Sequence, residues 1–128
     1  MQRAEARDYL LVKLYILIPF IVTAFEHDSS IISLELRTPA PYLEALHSAL
    51  NAASADLRAI RAEMRTRGLR IYEQNWLAAG AEVRFICRGY HERILLLDDV
   101  ISVEATMQMR RYLGLDTAAG PLVPLAKK

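Results

Sequence analysis

The stretch that decides the fold is YLEALHSALNAASADLRAIRAEMRTR, residues 42–67. Its apolar side chains recur at alternating spacings of three and four, a pattern typical of a helix that buries one stripe against another helix. This helix-packing seam consists of Leu43, Leu46, Leu50, Ala53, Leu57, Ile60 and Met64. Pro41 suits the first turn of a helix and Gly68 suits its C-terminal cap, so the sequence predicts one long helix between them.

The segment before this helix is apolar nearly all round, which predicts a helix over residues 9–27 that is buried on several sides. Pro19 predicts a kink, and a strand followed by a helix from Pro19 is the alternative. A transmembrane helix over residues 9–25 is disfavoured, because the span is short and contains Lys13. Residues 29–37 fit either an alternating strand or more helix, and the sequence leaves them open.

The part of the chain after the long helix predicts two strands and a last helix. Apolar and polar residues alternate over residues 69–73 and 82–88, and the loop between them is longer than a tight hairpin turn. Apolar stripes predict a helix over residues 91–113. The expected fold is therefore α+β and mainly α, in the order α-α-β-β-α. It would form one domain over residues 1–114, with a mobile tail over residues 115–128.

The composition excludes some classes of function. The chain has 128 residues, 53% of them hydrophobic, and a formal net charge of +1. That charge gives no general attraction to nucleic acid or to membrane. The single cysteine excludes an intrachain disulfide and fits a cytoplasmic protein. The sequence has no Gly-rich phosphate loop, zinc-binding cysteine pair or nucleophile elbow, so it predicts no cofactor, no metal ligand and no catalytic residue.

Three fragments resemble parts of catalytic sites, but each has a simpler interpretation. Glu44 and His47 have the Glu-x-x-His spacing of di-iron bundles, yet a second such pair is missing and both residues flank the seam. His27 and Asp28 form the dipeptide of His-Asp phosphohydrolases, and no further ligands follow at a supporting spacing. Cys87 shares the inward parity of its strand, which favours a small core residue over a nucleophile.

The more informative feature is a group of arginines around the end of the long helix. Arg58, Arg61 and Arg65 recur at i, i+3 and i+7 and share one helix face. The predicted surface for nucleic acid or a partner consists of Arg58, Arg61, Arg65, Arg67, Arg70, Tyr72, Arg84 and Arg88. The alternative is that these arginines pair with acids of the last helix, namely Glu92, Asp98, Asp99 and Glu104.

These patterns favour a non-enzymatic regulatory or adaptor protein that acts through its helix and hairpin surfaces. A homodimer is expected, because three long apolar elements offer more apolar surface than one chain of this size covers. A nucleic-acid-binding protein that uses the arginines is the alternative, and a small metal-dependent hydrolase is the second alternative.

Overall fold

The computed structural model describes residues 3–115, which form three helices and one antiparallel sheet. The elements are α1 (Ala6–Glu35), α2 (Ala40–Thr66), β1 (Leu69–Leu77), β2 (Gly80–Cys87), β3 (Tyr90–Leu97) and α3 (Asp98–Tyr112). The fold is α+β and mainly α, which confirms that part of the prediction. Apart from Leu115, the predicted tail lies outside the described residues.

Helix α1 is the centre of the core. Its buried residues are Asp8, Leu11, Val12, Leu14, Ile16, Leu17, Ile18, Ile21 and Phe25. The helix continues through Pro19 and includes most of the segment that the sequence left open, so the strand alternative for this region is wrong. A proline costs a helix one hydrogen bond, but burial of its neighbours Ile18 and Ile21 offsets that loss here.

Helix α2 packs along α1 through the predicted seam. Leu46, Ala53, Ile60 and Met64 are buried, and Leu50 and Leu57 are partly buried against the same core. Ala49, which lies beside the seam, is fully buried as well. The seam therefore contacts α1 of the same chain, and the small buried residues Ala53 in the seam and Ala49 beside it let the two helices approach closely.

The predicted two-stranded hairpin is wrong, because the sheet has three strands in the order β1-β2-β3. Residues 91–97, expected to begin the last helix, belong to β3 (Tyr90–Leu97), and α3 starts only at Asp98. A two-residue turn at Arg88 and Gly89, both with positive φ (49° and 92°), joins β2 to β3. This is the backbone sign that tight hairpins need at both turn positions. On β3, Leu96 faces the core and is buried.

The loop between β1 and β2 is also shorter than expected. Leu77 pairs with Gly80, so only two residues connect these strands. Gly80 lies against β3, and a Cβ atom there would be 2.1 Å from the carbonyl oxygen of Leu96. A glycine is thus required where the turn meets the neighbouring strand.

Helix α1 has the length and apolar character to cross a membrane. Half of its most apolar stretch is buried inside the protein, and a core helix passes the same test of length and composition. The expectation that α1 does not cross a membrane therefore stays a prediction.

Candidate functional site: an arginine groove beside an edge strand

An open groove runs between α1, α2 and the edge strand β1. It consists of three adjoining depressions of about 350, 270 and 420 Å³, and Arg61 lines all three. We call it the arginine groove. Its principal lining residues are Tyr15, Pro19, Phe20 and Thr23 from α1, Arg58, Arg61 and Arg65 from α2, and Arg70, Gln74 and Trp76 from β1.

Four of the predicted arginines line this groove. Arg58, Arg61 and Arg65 come from one face of α2, and Arg70 comes from the start of β1. All four are exposed, and within residues 3–115 none of them forms an ion pair. The guanidinium of Arg61 lies 5.8 Å from the centre of the Tyr15 ring, within the range of a cation–π contact. The groove therefore carries positive charge that the described chain does not neutralise.

The other predicted site residues lie elsewhere. Arg84 pairs with Glu73 and Glu82 on the outer face of the sheet. The hydroxyl of Tyr72 is 3.1 Å from Nδ1 of His91. Arg67 and Arg88 instead point into the protein, where both bind Asp8. The structure thus brings together half of the predicted surface.

The acids of the last segment do not neutralise the groove. Glu92 pairs with Arg3, and Glu104 pairs with Lys13. Asp98 and Asp99 lie exposed in the first turn of α3. The expected alternative, in which these acids pair with the predicted arginines, is not what this structure shows.

The Asp8 cluster, formed by Asp8, Arg67, Cys87 and Arg88, ties three elements together. The fully buried carboxylate accepts hydrogen bonds from Arg67 Nε at 2.7 Å, from Arg88 at 2.8 Å and from the backbone N–H of Glu5 at 2.9 Å. Burial by itself would raise the pKa of Asp8, but the bonds from Arg88, Arg67 and Glu5 hold it well below its usual range. The carboxylate is therefore ionised at all ordinary pH values.

Cys87 belongs to this structural cluster and is a poor candidate for a nucleophile. Its thiol is fully buried and lies 3.7 Å from a carboxylate oxygen of Asp8. Burial and the negative charge of Asp8 raise the pKa of the Cys87 thiol, so it stays protonated and unreactive.

Sequence reasoning missed the aromatic side chains of the groove. Trp76 and Phe20 are 49% and 43% exposed, and their rings meet edge to face with centres 5.2 Å apart. Tyr15 is partly buried beside Arg61. Phe20 and Tyr15 lie in an apolar run that reads as core throughout, and Trp76 comes from a segment expected to be loop. Only the packing of α1 against β1 shows that these rings share one groove.

Strand β1 presents an open edge along the groove. It pairs with β2 alone among the strands of the described chain, so half of its backbone N–H and C=O groups point away from the sheet. The register shifts between Ile71 and Glu73, which leaves Tyr72 in a bulge. Beyond the bulge, β1 is regularly paired from Glu73 to Leu77.

The histidines do not form a metal site in the part of the chain that the structure describes. His27 lies on α1, His47 on α2 and His91 on β3. Within residues 3–115, no three side chains of His, Cys, Asp or Glu stand close enough to hold a metal ion. Glu44 and His47 are both exposed.

Comparison with known proteins gives one relationship. A family model described as YhjD protein matches residues 3–117, which covers all the described residues. No curated protein matches the chain, and neither does any solved structure.

Proposed function

The chain belongs to the YhjD protein family, and we propose that it is a non-enzymatic adaptor or regulatory protein. It binds an extended, acidic segment of a partner protein in the arginine groove, and it assembles as a homodimer. The observation that carries this proposal is the set of four arginines without ion pairs in the described chain, lying beside the open edge of β1.

The charge of the groove favours an acidic occupant. Arg58, Arg61 and Arg65 are one helical turn apart in succession, so their positive charges repel one another. Arg70 adds a fourth charge across the groove. Carboxylates of a bound segment would relieve this repulsion and could be held by two parallel hydrogen bonds each, as guanidinium groups allow.

The strand edge and the aromatic rings favour an extended peptide. An added strand would pair its backbone with the free edge of β1, which is a common mode of peptide recognition. Trp76 and Phe20 would take an apolar side chain of the peptide, and Arg61 and Arg65 would bind acidic side chains on the same face of the added strand, because all four line one groove. A peptide whose groove-facing positions, which are every second residue, include both acidic and apolar side chains matches both sets of contacts.

Trp76 provides a direct assay, because it is the only tryptophan and lies in the groove. The probe is an end-blocked synthetic peptide with the repeat Glu-Thr-Val-Thr, which puts Glu and Val on the same face of a strand, and the same peptide with Lys in place of Glu is the control peptide. We expect the Glu peptide alone to change the emission of Trp76. The double variant Arg61→Ala, Arg65→Ala should weaken binding at least about tenfold. A hydrogen bond to a charged group contributes about 1.5–3 kcal/mol, and a loss of about 1.4 kcal/mol already weakens binding tenfold.

A matched control removes the same charge from the other face of the sheet. Arg84 and Arg93 both bind Glu82 there, away from the groove. The double variant Arg84→Ala, Arg93→Ala should bind the Glu peptide as tightly as the unaltered protein. Failure of the peptide to bind, or an equal loss in both double variants, would contradict the proposal.

Single-stranded nucleic acid is a second candidate occupant, because exposed aromatic rings beside arginines can stack bases and bind phosphates. A fluorescent oligothymidine in place of the peptide tests this candidate. Tight binding that falls steeply with salt, and that is lost in Arg61→Ala, Arg65→Ala, would favour nucleic acid if the peptide does not bind.

A further inference from the structure

Helix α3 carries an apolar stripe on the face that points away from the core. Val100, Val103 and Met107 are 41%, 60% and 44% exposed, at spacings of three and four residues. The opposite face of α3 packs on the core through Ile101, Ala105, Met109 and Tyr112. Because the core already uses one side of this helix, the α3 stripe is a second apolar face without a partner in the described chain.

The charged residues beside the stripe are arranged so that the stripe of one copy could pack against the stripe of a second copy. Seen down the helix from Val103, the side chains of Val100 and Met107 lie to one side, at about 60° and 40°. Asp99 and Arg110 lie to the other side, at about 40° and 20°. Acidic residues occupy the first turn of α3 and basic residues the last.

We propose that α3 is the two-fold interface of a homodimer, with the α3 helices of two copies antiparallel and Val103 on the symmetry axis. A two-fold axis perpendicular to both helices keeps each side chain on its own side of the interface. Val100 of one copy then meets Met107 of its partner. Asp99 of one copy lies beside Arg110 of its partner, with an axial offset of about 4.5 Å that an arginine side chain can span.

A second copy fits this face better than an unrelated partner, because the apolar residues of the stripe and the charges beside it have approximate complements within the same helix. The apolar residues are nearly symmetric about Val103, and the acidic end of one helix lies beside the basic end of the other. Antiparallel helices also oppose their dipoles. On the adjoining strand β3, Leu95 and Leu97 are exposed as well.

This inference rests on the homodimer in the proposed function, but its test is independent of the groove. Sedimentation equilibrium from about 1 to about 200 μM covers the range expected of an interface of modest size. We expect the protein to dimerise and the variant Val103→Glu to be at least tenfold weaker. The control Leu34→Glu changes an 82% exposed leucine at the far end of α1 and should leave the dimer unchanged.

Charge exchange tests the antiparallel geometry. The single variants Asp99→Arg and Arg110→Asp should each weaken the dimer, because each places like charges opposite one another. The double variant Asp99→Arg, Arg110→Asp should restore dimerisation. Circular dichroism of each variant establishes that α3 is still folded.

A crosslink tests the position of the axis without relying on a loss. In Val103→Cys the two introduced thiols face each other across the axis, so oxidised glutathione should link the copies into a disulfide dimer. Leu34→Cys is the control and should not crosslink, while Cys87 is buried and does not interfere.

A monomer at all concentrations refutes both the homodimer and this interface. A dimer that survives Val103→Glu and does not crosslink through Val103→Cys refutes the interface alone, and peptide binding in the groove decides the rest of the proposed function separately.

Discussion

Replacing Asp8 by asparagine should destabilise the protein by about 3 kcal/mol. The side chain keeps its size, but one oxygen becomes an NH₂ group that faces a guanidinium donor instead of accepting from it. Breaking a buried ion pair on one side costs about 3–5 kcal/mol, because the partner charge stays behind. We take the lower end, since Arg67 and Arg88 keep 26% and 21% of their side-chain surface exposed and can regain water.

The effect should depend on pH in a defined direction. The folded pKa of Asp8 lies below its unfolded value of about 4. The stabilisation by Asp8 is therefore complete above that value and is lost as the pH falls below it. The difference in unfolding free energy between the unaltered protein and Asp8→Asn should be constant from pH 6 to 8 and should shrink between about pH 4 and about pH 2.

Urea denaturation followed by circular dichroism measures this difference. For an m-value of about 1.5 kcal/mol/M, the midpoint should fall by about 2 M with no change in slope. Asp28→Asn is the control, because Asp28 forms no ion pair within residues 3–115, and its midpoint should stay within about 0.3 M. A loss below about 1 kcal/mol for Asp8→Asn, or a difference independent of pH, would refute the role assigned to the cluster.

Three further substitutions test the packing. Gly80→Ala should lower the melting temperature by about 10 °C because its Cβ would clash with the carbonyl of the adjacent strand, whereas Gly114→Ala, with nothing within 4 Å of its Cβ, should show only the strain of its positive φ (81°), about 1 kcal/mol or about 4 °C; similar losses would contradict the clash. Ala53→Leu should destabilise by about 1–3 kcal/mol in urea by forcing α1 and α2 apart, and an equal effect of the exposed Ala52→Leu would show that helix approach is not the cause. Tyr112→Phe removes the 2.7 Å hydrogen bond from the Tyr112 hydroxyl to the carboxylate of Asp56 on α2, which should lower the free energy of unfolding by about 1.5 kcal/mol at neutral pH. Burial, and then that carboxylate, raise the pKa of Tyr112, so the unaltered protein should lose this advantage as the pH rises above about 10, and a difference that persists there would contradict the assignment.

The helices could be predicted from the sequence because their signals are local. The seam of α2 repeats over the whole helix, and the proline-rich break before it and Gly68 after it mark its ends. The apolar character of α1 indicated burial on several sides. The outcome at Pro19 could not be predicted, because it depends on how much surface the neighbouring elements bury.

The third strand could not be read from the sequence with the same rules. Residues 90–97 include Ile94, Leu95, Leu96 and Leu97, a run that fits a helix stripe as well as a strand. The deciding feature is the turn at Arg88 and Gly89, since an arginine with positive φ is not part of the usual turn signature. Pairing with β2 then favours the strand.

Of the eight residues that the sequence predicted for the candidate site, four line the groove, and all four are arginines. The three groove arginines of α2 share a helix face, and that spacing is visible in the sequence. Arg67 and Arg88 were grouped with them, but their partner is Asp8, which is 59 and 80 residues away along the chain. Asp8 itself lies in a polar N-terminal stretch that gives no sign of burial. Contacts of this range depend on tertiary packing and leave no local pattern.

The central position of α1 has a consequence for synthesis. This helix is synthesised before α2 and the sheet, and the sheet that contacts it is complete only when residue 97 has been added. Until then the ribosome holds a nascent chain whose most apolar segment is covered by α2 at most. Such a chain is open to aggregation, and its residence near the exit tunnel is the stage at which a chaperone would act. Truncated chains ending before β2 should therefore associate with chaperones or aggregate, while the full chain is released in folded form.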